Sequence, residues 1–121
     1  MRCLFLTEVK ACTGDAVTLP CQSTSRMGVD WRHRDTPTSD GDYVVASGFV
    51  QKEFEGRFSL NRSTPHHYSL VISRLRPDDQ GLYICIEDAG LGPRRGYQLI
   101  IKGRLIFCRI LLISWIGLSK V

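Results

Sequence analysis

Several features are scarce in this chain of 121 residues, and each absence excludes something. No run reaches the roughly 20 apolar residues that a membrane helix needs. The five cysteines, at 3, 12, 21, 85 and 108, contain no Cys-x-x-Cys pair, and His66 and His67 are neighbours without further ligands at metal-site spacing. A bound metal is therefore not expected. There is no Gly-x-Ser-x-Gly elbow, no phosphate-cradling glycine loop and no paired-carboxylate motif, so neither catalysis nor a cofactor is expected. Net charge is only +4, from 16 basic and 12 acidic residues that are well mixed. Nucleic-acid binders show a clustered basic stripe, so that class is disfavoured. No internal repeat or low-complexity tract is present, and an apolar share of 43% supports one folded core rather than disorder.

What the chain does have is short alternating runs separated by turn residues. Residues 16–21 alternate, with Val17, Leu19 and Cys21 on one face and Gly14-Asp15 as the preceding turn. Pro20 gives no ladder donor, which places it at an edge or bulge. Residues 29–34 put Val29, Trp31 and His33 on one face, leaving Arg32 and Arg34 on the other. Further strands are expected at 43–45, 49–50, 57–61, 68–72, 82–86 and 97–102, with a loop over 90–96 around Pro93. Short strands at about ten-residue spacing, with Gly, Pro and Asp between them, argue for an all-β sandwich or barrel. Residues 1–6 read either as a truncated secretory signal or as the first strand, because four apolar residues fall short of a signal core of about 7–15.

One spacing is more specific than the rest. Cys21 is followed by Trp31, and then by Asp79-Gln80-Gly81-Leu82-Tyr83-Ile84-Cys85. With Asp15-Ala16-Val17-Thr18-Leu19-Pro20-Cys21, Val29-Asp30-Trp31 and Gly56-Arg57-Phe58, residues 7–102 resemble a variable-set immunoglobulin domain. The flanking motifs are similar to butyrophilin-like and myelin-glycoprotein-like surface proteins and to the immune-type receptors of bony fishes. The resemblance implies a two-sheet antiparallel V-type Greek-key sandwich, in which Cys21 and Cys85 bridge the sheets and Trp31 packs on the bridge. It also implies a core with Leu70 and Ile72, a tyrosine corner at Tyr83, and a structural ion pair between Arg57 and Asp79. The extra strands around Tyr43 and Phe49 favour the nine-stranded variable type over the constant type. The last strand lacks the Phe-Gly-x-Gly of antigen-receptor joining segments, which disfavours a rearranged antibody or T-cell-receptor chain.

A function of recognition at a cell surface follows from the resemblance. The expected localisation is the extracellular side of the plasma membrane, with a secreted decoy or a homophilic adhesion module as alternatives. The expected partner is a protein ligand, with a homodimer or a signalling adaptor as further partners. Candidate contacts are Arg32 and Arg34 on the outer face of the Trp31 sheet, Arg94 and Arg95 in the last loop, and the loops 22–28, 46–49 and 87–95 at one end. Asn61-Arg62-Ser63 is a glycosylation sequon at a strand end. His33, inward beside Trp31, reads as a satisfied histidine rather than a base. With an odd number of cysteines, a secreted chain keeps one free or pairs it with another chain. Residues 103–121 form an apolar tail broken by Arg109. If the tail is a truncated spanning segment, Arg109 becomes a candidate for pairing with an acidic adaptor, because a charge in lipid normally pairs.

Overall fold

The computed structural model describes residues 4–23, 28–34, 41–62, 66–87, 94–103 and 108. Nine strands occur among them: β1 (Leu4–Cys12), β2 (Val17–Leu19), β3 (Val29–Arg34), β4 (Asp42–Ala46), β5 (Phe49–Val50), β6 (Phe58–Asn61), β7 (Ser69–Ile72), β8 (Gly81–Glu87) and β9 (Arg94–Lys102). They form a six-stranded sheet in the order β1-β9-β8-β3-β4-β5 and a three-stranded sheet in the order β2-β7-β6. The fold is an all-β sandwich of the variable type. Alternation explains it: Val29 and Trp31, Tyr83 and Cys85, and Tyr97 and Leu99 from the large sheet meet Leu19, Phe58, Leu70 and Ile72 from the small one in a single core.

Cys21 and Cys85 are joined across the sheets, with Cα atoms 6.5 Å apart. Trp31 is fully buried and lies opposite Cys85 in register. Its indole N–H donates to the carbonyl of Tyr68 at 3.0 Å, so the one polar atom of the ring is satisfied in the core. The Tyr83 hydroxyl donates to the carbonyl of Asp79, four residues back, which closes the corner into β8. His33 stacks on Tyr83 with centroids 4.3 Å apart, and its Nε2 lies 2.9 Å from the carbonyl of Gln80. At Gly81, φ is +136°, and an added Cβ would meet the carbonyl oxygen of Arg34 at 2.3 Å. Close approach of β8 to β3 is what requires glycine there.

At the same end, the Arg57 guanidinium forks onto Asp79, at 2.6 Å from Nη1 to Oδ2 and 3.0 Å from Nη2 to Oδ1. Asp79 Oδ2 also accepts the backbone N–H of Arg76 at 2.8 Å. The hydrogen bond to Asp79 holds the arginine's pKa above its usual value, against the opposing effect of burial.

The structure departs from the sequence reading in four places. Strand β1 runs from Leu4 through Cys12: residues 4–6 are strand, one of the two readings given above, and 7–12 continue it where the sequence assigned no strand. It pairs with β9 in parallel, so the sandwich is not wholly antiparallel. The two strands come from opposite ends of the chain, and everything between them serves as the crossover that a parallel pair needs. Strand β2 stops at Leu19, because Pro20 cannot donate to the ladder; the pairing resumes only as an isolated bridge between Gln22 and His67. Strand β9 begins at Arg94 rather than at Tyr97, so the expected loop over 90–96 is strand in its last three residues.

A second disulfide joins Cys12 to Cys108, with Cα atoms 5.7 Å apart. Nothing in the spacing of the cysteines had paired these two. Among the described residues no helix is long and apolar enough to cross a membrane.

Candidate functional site

The outward side of the six-stranded sheet gathers the candidate residues. Register fixes the rows that cross it. One row runs Leu6, Gly96, Ile84, Arg32 and Tyr43 across β1, β9, β8, β3 and β4. A second runs Arg94, Ile86 and Asp30, and a third Glu8, Gln98, Leu82 and Arg34. Ile84 and Ile86 are buried although they point away from the core, since they alternate with the inward Tyr83 and Cys85. Arg32 and Arg94 flank them, and arginine stems cover apolar surface while the charged head stays outward. The Arg32 guanidinium sits 4.9 Å from the centroid of the Tyr43 ring, a cation–π contact. The Nε atoms of Arg34 and Arg94 are out of contact with water and have no hydrogen-bond partner among the described residues.

Exposed apolar groups border the arginines. Leu6 at one edge of the sheet is 60% exposed, Tyr43 46%, and Phe49 on the opposite edge strand 76%. Phe49 closes a two-residue hairpin at Ser47-Gly48, where both φ angles are positive (50° and 85°), as a tight hairpin of this kind requires. The turn is tied to β3: Asp30 Oδ1 accepts the N–H of Ser47 at 2.7 Å, and the Val29 carbonyl accepts that of Gly48 at 3.1 Å.

The four arginines named from the sequence do not form one group. Arg32, Arg34 and Arg94 share the outer face. Arg95 is directed the other way, because it lies opposite Cys85 in register while Arg94 lies opposite Ile86. Neither Arg94 nor Arg95 is a loop residue, which corrects the sequence reading; both belong to β9. Of the three end loops, 46–49 is described, whereas residues 24–27 and 88–93 lie outside the described residues, as does Arg109. Asn61 is exposed at the end of β6, opposite Ser69; the last residue of its sequon lies outside the described residues. Tyr43, Phe49, Ile84 and Ile86 were not named as site residues. The exposed apolar side chains at Tyr43 and Phe49, two short strands, were the signal that could have found the first two.

Among the described residues, no three His, Cys, Asp or Glu side chains gather where they could hold a metal ion. A cleft of about 300 Å³ lies between Glu53, Glu55, Arg57, Arg74 and Arg76 at the other end of the domain. Its charges are of both signs.

Tyr97 supplies a pH-dependent test of this sheet. Its hydroxyl donates to the carbonyl of Pro20, and burial pushes its pKa above 10.0, partly opposed by Arg95. The folded state therefore holds this proton more tightly than the unfolded state does. Its stabilising contribution is complete below the unfolded value and is lost as pH rises through the folded one. Urea titrations between about pH 9 and pH 11 should show a decline in stability that is shallower in Tyr97→Phe. Equal alkaline slopes in the two proteins would show that Tyr97 does not titrate as placed.

With strand order, core bridge and outer face in place, comparison with known proteins is decisive. The immunoglobulin V-set domain family matches residues 7–99. The chain belongs to the immunoglobulin V-set family. Among curated proteins, this V-set chain is similar to immunoglobulin superfamily member 3 of Xenopus laevis, 30% identical over 104 residues, covering 74% of the chain and 9% of that protein. It is also similar to the polymeric immunoglobulin receptor of Oryctolagus cuniculus, 34% identical over 67 residues, covering 51% of the chain and 9% of that protein. The V-set chain thus spans about a tenth of the length of each relative.

Proposed function

We propose that this V-set domain is a recognition module of an immune-type surface receptor, and that it binds a protein partner through the outer face of its six-stranded sheet. The observation that carries the reading is the composition of that face. Arg32, Arg34 and Arg94 surround Ile84 and Ile86, with Tyr43 and Phe49 exposed beside them. Arginine and aromatic residues around a dry apolar centre are what energetically important protein contacts are made of. The names of the two relatives, one a receptor and both of the immunoglobulin class, agree with such a role. A partner carrying carboxylates would meet the charged heads of Arg32, Arg34 and Arg94 on this face and would be steered by their charge. The disulfide across the core fits an extracellular compartment, and a glycan at the exposed Asn61 would fit it too.

The test uses the tetramerised chain as a probe on cells of the source species. Arg34→Glu with Arg94→Glu is expected to cut staining about tenfold, mainly by slowing association, and to weaken its salt dependence. Ser59→Glu, exposed on the outer side of the three-stranded sheet, is the control and should change nothing. Undiminished staining by the double variant would end the assignment of this face. Staining confined to cells that display this same chain would identify homophilic adhesion instead.

A further inference from the structure

We infer that the Cys12–Cys108 disulfide is a strap that makes Cys108 part of the folded domain and holds the edge strand β1 onto its sheet. Among the described residues, strand β1 has a bonded neighbour on one side only, β9. One of the chain's crossings between the two sheets follows it. Beyond Cys12 the chain turns at Thr13-Gly14, where Asp15 N–H bonds back to the Cys12 carbonyl at 3.0 Å and Gly14 N–H to the Leu75 carbonyl at 2.8 Å, and then enters β2 of the other sheet. An edge strand with one parallel ladder is the part of a sandwich most readily peeled away.

The strap works against that peeling. Strand β9 ends at Lys102, which lies opposite Cys12 in register. Six residues later Cys108 is beside Cys12 again, with its Sγ 4.0 Å from the Ala11 carbonyl. Six extended residues could carry the chain about 20 Å away. The Cα of Cys108 instead lies 5.7 Å from that of Cys12. Cys12 is 0% and Cys108 1% exposed, so the bond is packed inside the fold and is not a surface link.

This placement bears on the apolar run that begins at residue 105. A spanning helix started there would carry Cys108 about 4.5 Å along its axis, at a rise of about 1.5 Å per residue. Cys108 cannot be in lipid and be bonded to Cys12 in the core. Any membrane-crossing stretch of this chain therefore begins beyond Cys108.

Two measurements on the full chain test the strap. Tryptic digestion without reduction should yield residues 11–26, 75–94 and 105–109 as one species, because Cys12 and Cys21 share the first of these fragments. A free 105–109 fragment would overturn the inference. Hydrogen exchange on Cys12→Ser with Cys108→Ser should show amides of β1 opening at least about tenfold faster, with the central β3–β8 pair as slow as in the parent. Unchanged β1 protection, or an equal loss across both sheets, would refute a strap acting on the edge strand. If the double variant does not fold, the digestion pattern alone decides whether Cys108 belongs to the domain.

Discussion

Replacing both Cys21 and Cys85 by alanine is expected to remove about 4 kcal/mol of stability, within a usual range of about 2–5 kcal/mol. The two residues are 64 apart in sequence, and the bond closes that length of chain in the unfolded state. It also holds together the two faces of the core at Leu19, Trp31, Leu70 and Ile72, all fully buried. A domain of this size has a total stability of about 5–15 kcal/mol, so a loss of that order leaves a marginal fold at body temperature. Urea unfolding followed through Trp31 fluorescence reads the effect, since the indole lies opposite Cys85. A shift smaller than about 1 kcal/mol would mean that the packed core alone specifies the sandwich and that the bridge constrains little.

Asp79→Ala is the second large loss. The carboxylate receives both arms of Arg57 and the backbone N–H of Arg76. Removing it strands a guanidinium and an amide where little water reaches. Breaking one side of a buried pair costs about 3–5 kcal/mol, and the lower end is expected here because the neighbouring cleft admits some water. The Arg57 side chain is 18% exposed and that of Asp79 6%, consistent with a pair on the margin of the core. Arg57→Met combined with Asp79→Leu should cost less than Asp79→Ala alone, since no charge is then left without its partner. A double-mutant cycle by chemical denaturation measures the coupling, expected at about 1–3 kcal/mol. Additive single losses would show that Arg57 and Asp79 act independently.

The two predictions differ in how they were legible. Cys21 and Cys85 follow from a spacing that places Trp31 on one strand and Tyr83 two residues before the second cysteine. Each of these residues sits on the inward side of a period-two run, which local sequence displays directly. Arg57 and Asp79 were named from the resemblance, and only the folded chain brings them to 2.6 Å. The outer face was legible in part. With Trp31 inward, alternation alone puts Arg32 and Arg34 outward. Arg94 and Arg95 were not separable in that way, because Pro93 and the glycines around it read as loop and hid the start of β9. In a strand, adjacent residues face opposite sides, so one of the two arginines had to leave the face.

The amino-acid sequence by itself determined the class of fold and the inward residues of most strands. These rest on alternation and on turn chemistry, which act over a few residues at a time. The cross-sheet bridge came from the resemblance that the cysteine motif carries. The tertiary structure alone decided that β1 lies parallel to β9, that Arg94 joins Arg32 and Arg34 while Arg95 does not, and that Cys12 closes on Cys108. Each of these depends on segments far apart in the chain, with Cys12 and Cys108 separated by 96 positions. No local pattern encodes such a meeting. It is set by where the sheet order leaves an edge, and by which side chains its twist and register bring to that edge.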